Sequence, residues 1–335
     1  LDTPLQGWSR PLADWLSARF PGFMSMKLLG VGSAYAEQCH VGARPDLSPA
    51  AARAAFQCLA RTVEAHAASC GALLIAFKDM APARDRQFSP ALTQAGFVLL
   101  RSLPVASLDL AHADFDAYMG RLSAATRKDL LRMLKAGRDV RIEHRSTLDG
   151  LEARVAELYE STRRRSQVRY GDFEELPVDY FGEISRNGQD RAHFVLYWAG
   201  EQLIAFNLLL LQADRVIDKF LGCQYPLAAE KNIYALSWLE NVRFAIGNGY
   251  PKLQSGQTAY ALKVRYGSEL MPSLIYAKHR RPWLNGILRL CAAWLDFGRW
   301  DPDLRALART AKKRQIATPP AQRRDEHLRE PVEQA

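Results

Sequence analysis

What the chain has little of narrows its chemistry. Its five cysteines (Cys39, Cys58, Cys70, Cys223 and Cys291) are an odd number among 335 residues, and none forms a CxxC pair. This argues against a disulfide framework or a cysteine zinc site and points to a reducing cytoplasm. The seven histidines show no metal-ligand spacing, so no metal is expected. GxSxG, HExxH and Walker-type loops are missing, which removes the serine-hydrolase elbow, the zincin helix and the P-loop. No run reaches the ~18 apolar residues of a membrane span. Residues 1–10 carry no basic segment ahead of an apolar one, so no signal peptide is expected.

What remains is an ordinary globular composition, 48% hydrophobic and 24% charged. The net charge is +9. Basic residues concentrate over 121–145, over 163–169 and from Arg299 onward. Such clusters favour phosphates, tRNA or an anionic membrane surface as partners. An arginine-rich composition by itself also produces basic surfaces.

Residues 191–276 read as one unit. Three apolar runs, 193–198, 202–212 and 215–222, are joined by tight turns and predict strands. From Asn232 to Ile246 the apolar period becomes helical. A strand over 252–255, a helix over 260–266 and a strand over 273–276 complete the order β-β-β-α-β-α-β. Strand-to-helix junctions of this kind expose helix N-terminal amides, which seat anions. The first ~110 residues read as a weaker version of the same alternation. Ser48-Pro49 opens a helix there at the favoured N-cap and N1 positions. Between the two, Ser123 caps a helix whose apolar stripe is Leu130, Met133 and Leu134. Residues 283–300 predict an amphipathic helix, and the polar, charged segment from Thr310 predicts a disordered tail.

Two phrases carry a resemblance. LSAATRKDLLR at 122–132 is similar to a helix that precedes the catalytic lobe of the GNAT (N-acyltransferase) superfamily. GQTAYALKVRYG at 256–267 resembles the G-x-x-x-Y-x-x-K-x-x-x-G signature of the branch that includes the Fem-type peptidoglycan aminoacyltransferases. The resemblance implies an α/β fold of two GNAT-like lobes, each a mixed, mainly antiparallel sheet flanked by helices, the C-terminal lobe the more complete. The expected division is a degenerate lobe at 1–110, a catalytic lobe at 111–282, an amphipathic helix at 283–309 and a basic tail at 310–335. The implied activity is transfer of an acyl or aminoacyl group from acyl-CoA or aminoacyl-tRNA to a small-molecule or lipid-linked amine, such as a cell-envelope precursor. The implied location is the cytoplasm or the inner membrane face. A non-catalytic GNAT-like binding protein for such a precursor, or for a partner protein, is the alternative. One departure stands out. Ordinary acetyltransferases carry a glycine-rich pyrophosphate loop where this chain has CQYPLAAEKN at 223–232, with no glycine after Gly222.

Candidate residues follow from these matches. Lys263, by its place in the signature, would hold a donor phosphate or stabilise an oxyanion; otherwise it is a solvated helix lysine. Tyr260, three residues earlier, shares its helix face and would donate to the leaving group, or simply pack. Gly256 would allow a tight strand exit beside the cleft, with Gln257 hydrogen-bonding ligand there. Gln224, Lys231 and Asn232 stand where a pyrophosphate or carboxylate would meet the helix N-terminus, or form an ordinary capping turn. Asp218 is a proton acceptor or a strand-surface ion partner. Arg127 and Arg132 would meet tRNA phosphates or an anionic lipid-linked precursor. Tyr170 would line the acceptor pocket, as the corresponding loop does in this superfamily.

Overall fold

A computed structural model describes residues 15, 19, 27–33, 36–39, 41–80, 82–111, 114–165, 175–299 and 301–317. The N-terminal part runs β1 (Leu28–Val31), α1 (Pro49–Ser69), β2 (Leu74–Met80), α2 (Pro82–Gln94), β3 (Val98–Arg101) and β4 (Val105–Asp109). Ser48 caps α1 as its spacing requires, its Oγ accepting from the amide of Ala51 at 3.2 Å. The buried face of α1 carries Ala52, Phe56, Ala60 and Ala67. Phe56 stacks on Phe88 of α2 with ring centroids 3.8 Å apart, and both join Phe77 of β2 in one core.

The chain continues as α3 (Phe115–Arg121), α4 (Ala124–Ala136), β5 (Val140–Arg145), α5 (Glu152–Arg165), α6 (Tyr180–Asn187), β6 (Ala192–Ala199), β7 (Gln202–Gln212) and β8 (Arg215–Cys223). After these come α7 (Leu227–Glu230), α8 (Ile233–Gly247), β9 (Lys252–Ser255), α9 (Tyr260–Arg265), β10 (Glu269–Met271) and β11 (Leu274–His279). A seven-stranded sheet has the order β10-β4-β9-β8-β7-β6-β5. All its pairings are antiparallel except β8 with β9. The helices α3, α4 and α8 cover one face, with Leu236, Leu239 and Val242 of α8 in the core beneath them. On the other face α5 and α6 close over Phe194, Phe206 and Leu208. This double cover is why β7 reads as a nearly continuous apolar run rather than an alternation.

The division at 110 does not hold at the level of sheets. β4 pairs with β9 and β10 in the large sheet, while β11 lies between β2 and β3 in the small sheet, whose order is β1-β2-β11-β3. Apolar alternation identifies a strand but not its partner, so sequence proximity assigned each to the wrong sheet. The amphipathic segment is also shorter than expected. α10 spans Pro282–Cys291, and a single 3-10 turn follows at Phe297–Arg299. A last helix, α11 (Pro302–Ala317), extends into the segment expected to be disordered. Asp301 accepts from the amide of Leu304 at 2.9 Å and supplies its N-cap. Residues 318–335 of the expected tail lie outside the described residues.

Gly222 is required by close approach. A Cβ there would enter the ring of Phe206 and lie 2.8 Å from the backbone nitrogen of Tyr159. Gly222→Ala should therefore lower stability by ~1–3 kcal/mol, because one neighbour is a fully buried ring and the other is the backbone of α5. A urea denaturation midpoint equal to that of the wild type would contradict this packing.

Candidate active site

The site begins where two parallel strands part. β8 and β9 share only three register pairs, Val216/Leu253, Ile217/Gln254 and Asp218/Ser255. Beyond them β8 continues against β7 as far as Cys223, while β9 ends at Ser255 and the chain leaves through Gly256. Past Asp218 and Ser255 no ladder joins the two strands.

Lys263 of α9 turns back to the exit of β9 and is only 5% exposed. Its Nζ donates to the carbonyl of Gly256 at 2.5 Å. Burial pulls its pKa down to about 8, against the opposing pull of the Asp218 and Glu37 carboxylates. Asp218 retains some surface exposure, yet burial of its carboxyl pushes its pKa up to about 6. The Lys263 charge works the other way, as does the amide of Asn207, which donates to Asp218 Oδ1 at 2.9 Å. The Tyr197 hydroxyl donates in turn to Asn207 Oδ1 at 3.3 Å, and both residues are fully buried. Asn241 of α8 has no hydrogen-bond partner within bonding distance, but lies close enough to Asp218 to favour the ionised form.

Several contacts hold α9 in place. The Tyr260 hydroxyl donates to the carbonyl of Pro104 at 2.8 Å, and Gln257 Nε2 to that of Leu103 at 2.9 Å. Both residues thus fasten the exit from β9 to the β3–β4 connection. Tyr260 is completely buried, which makes it an anchor rather than the expected donor to a leaving group. Tyr118 of α3 donates to the Tyr266 carbonyl at 2.9 Å and accepts from Trp238 Nε1 at 3.1 Å. Glu37, from the segment between β1 and α1, reaches the exit of β9: a Cβ at Gly256 would stand 3.2 Å from Glu37 Oε1. Gln254 Nε2 donates to Glu37 Oε2 at 3.0 Å.

The residues expected to receive pyrophosphate do not converge. Gln224 Oε1 accepts from Arg154 and from Gln202 Nε2, the latter at 2.9 Å. Lys231 pairs with Asp139 at 2.6 Å. Asn232 stands in the left-handed region at φ 52° and makes no side-chain cap. Gln224 and Lys231 are thus engaged by side chains from distant segments, Arg154 and Asp139. The basic edge of α4 is likewise engaged. Arg127 Nη1 donates to the carbonyls of Met119 and Leu122 at 3.3 and 3.4 Å, at the end of α3, and Arg132 pairs with Asp129 at 2.7 Å. Tyr170 lies outside the described residues. Cys223 is a buried thiol pushed up to about 12, which makes it a poor nucleophile.

Glu37, Asn207 and Asn241 were missed from the sequence. Asn207 carried a usable signal, as the lone amide in the otherwise apolar interior of an eleven-residue strand. Asn241 repeats it on the buried face of α8. Glu37 carried none.

No protein-family model matches the chain, and no curated protein sequence does. Among solved structures, the crystal structure of FemX aligns with a TM-score of 0.52 at 12% identity, covering 71% of this chain and 79% of that one. The C-terminal (DUF2156) domain of a putative lysylphosphatidylglycerol synthetase from Agrobacterium fabrum aligns at 0.48 and 16%, over 72% and 77%. A tandem GNAT protein from the clavulanic acid biosynthesis pathway aligns at 0.44 and 14%, over 72% of each chain. The likeness is one of fold. The chain is an α/β protein of mixed sheets flanked by helices, similar in fold to FemX.

Asp218 sets a stability test. Its folded pKa lies above the unfolded value of 3.8, so the folded state holds the extra proton between about pH 4 and 6, and stability falls as pH rises through that window. Asp218→Asn should unfold at a higher temperature than wild type at pH 7, by the equivalent of ~1–3 kcal/mol. The gain should vanish below about pH 4, where the wild-type carboxyl is neutral in both states. An equal or lower melting temperature at pH 7 would show that Lys263 outweighs the burial cost.

Proposed function

We propose that the chain is an N-acyltransferase that moves an acyl or aminoacyl group from an activated ester or thioester to an amine. The observation that carries this is the buried Lys263, turned inward at the parting of β8 and β9 beside Asp218. In such a transfer the neutral amine attacks the carbonyl carbon and a C–N bond forms. The bond to the thiol sulfur of CoA, or to the ribose oxygen of tRNA, breaks. The carbonyl oxygen gathers negative charge, which the Lys263 ammonium is placed to stabilise. The proton leaving the attacking nitrogen passes to the Asp218 carboxylate. Both donors stay within the proposal. The expected pyrophosphate residues give CoA little support, since Lys231 is already paired with Asp139 and Asn232 makes no cap. The proposed acceptor is a small-molecule or lipid-linked amine.

A membrane-facing position is proposed on a separate observation. Leu288, Ala292 and Leu295 pack on β3 and β11. The opposite side presents Trp283, Ile287, Leu290 and Trp294, of which Leu290 is 82% exposed. Arg280, Arg281 and Arg289 are close by in sequence. Tryptophan beside leucine and arginine suits the interface of an anionic bilayer. Among the described residues no helix is long and apolar enough to cross one.

Two measurements test these readings. With acetyl-CoA, a long-chain acyl-CoA or charged tRNA as donor, kcat/KM should rise through about pH 6 as Asp218 ionises and fall through about pH 8 as Lys263 loses its proton. Lys263→Ala should cost about 10²–10³-fold while circular dichroism stays unchanged; full activity in that variant would end the assignment. In flotation, vesicles containing phosphatidylglycerol should carry the wild-type protein upward, and Trp283→Ser combined with Leu290→Ser should leave it at the bottom. Equal flotation on purely zwitterionic vesicles would exclude the charge component.

A further inference from the structure

The step above does not use a cavity that borders the same β8–β9 pair. It holds about 280 Å³, and its lining includes Glu37, Tyr180, Leu210, Ile217, Lys219 and Gln254. Ile217 and Gln254 are ladder partners one position before the strands part, so the cavity adjoins the place where Asp218 and Lys263 lie. The field of Glu37 reaches both Lys263 and Asp218.

Two of the lining side chains carry opposite charge. Glu37 is held by the amide of Gln254, while Lys219 comes from β8 at a register shift against β7. Burial disfavours the Lys219 ammonium, and Glu37 offsets part of that cost. An apolar amine would bring nothing to Lys219 and would bury its charge further. A ligand with its own cation and anion would serve both ends. The volume sits at the lower edge of the ~300–1,000 Å³ usual for small-molecule sites, enough for an amino-acid-sized group but not for a whole lipid-linked precursor.

We infer that this cavity is the acceptor site and that the acceptor is zwitterionic, its ammonium received by Glu37 and its carboxylate or phosphate by Lys219, with Tyr180, Leu210 and Ile217 against its apolar part. The inference rests on the transferase reading and narrows its substrate class. Glu37 then holds that nitrogen beside the parting of β8 and β9 where Lys263 lies, and takes one of its protons so that the neutral amine attacks; the second proton passes to Asp218 as in the step above.

Calorimetric titration of the full chain without donor tests this with four probes: L-leucine, its methyl ester, N-acetyl-L-leucine and O-phosphoethanolamine. L-leucine or O-phosphoethanolamine should bind at least tenfold more tightly than the ester or the N-acetyl compound, and whichever of the two binds identifies the anion. Lys219→Met should reduce the zwitterion to the level of the ester, and Glu37→Gln to the level of the N-acetyl compound. The inference is overturned if the ester matches the zwitterion, or if none of the four binds at up to about 10 mM. Transfer to an amine lacking any anionic group, lost in Lys263→Ala but unchanged in Lys219→Met, would keep the transferase and remove the zwitterion.

Discussion

A lysine ammonium taken out of water must be repaid locally, and Lys263 is repaid by three groups from three parts of the chain. The carbonyl of Gly256 comes from the exit of β9, the carboxylate of Asp218 from β8, and that of Glu37 from the segment ahead of β2. Losing any one leaves the charge more costly, since desolvation is its largest influence. The surrounding architecture reads as the means of keeping these groups together. Parallel pairing stops after Asp218, so the ladder does not fill the space the ammonium needs. Tyr260 and Gln257 tie α9 to the β3–β4 connection, and Tyr118 ties the end of α9 to α3 and α8.

Asp218 and Lys263 are displaced toward each other, one upward to about 6 and the other downward to about 8. Each has burial as its chief cause and the other's charge as a partial remedy. Asn207, fixed by the Tyr197 hydroxyl, keeps the carboxylate oriented from within the sheet. Such a pair is expensive for a fold to hold, and displaced pairs of this kind gather at functional sites.

Much of the fold was legible. The β7 run, the cap at Ser48 and the helix after Ser123 follow from short-range rules of period and capping, and each lies where those rules put it. Lys263 was legible through its signature, but its burial was not, since a lysine on a six-residue helix reads as solvated. Lys231 and Asn232 failed for the opposite reason. Their spacing at a strand–helix turn fits an anion site, yet Asp139, 92 positions away, takes the lysine. Glu37 and the sheet that β11 joins were beyond reach, because both depend on pairings between distant segments, which single-sequence periodicity does not encode.

The place of β11 bears on how the protein is made. It is the only described strand paired with β3, and it separates β3 from β2. When the chain has emerged as far as Arg101, β1, β2 and β3 are present, but the strand that lies between β2 and β3 has not yet been made. Folding from the N-terminus forward, the default for multi-lobed chains, is closed to this one. The small sheet completes only after residue 279 emerges, when the large sheet it borders can already be standing.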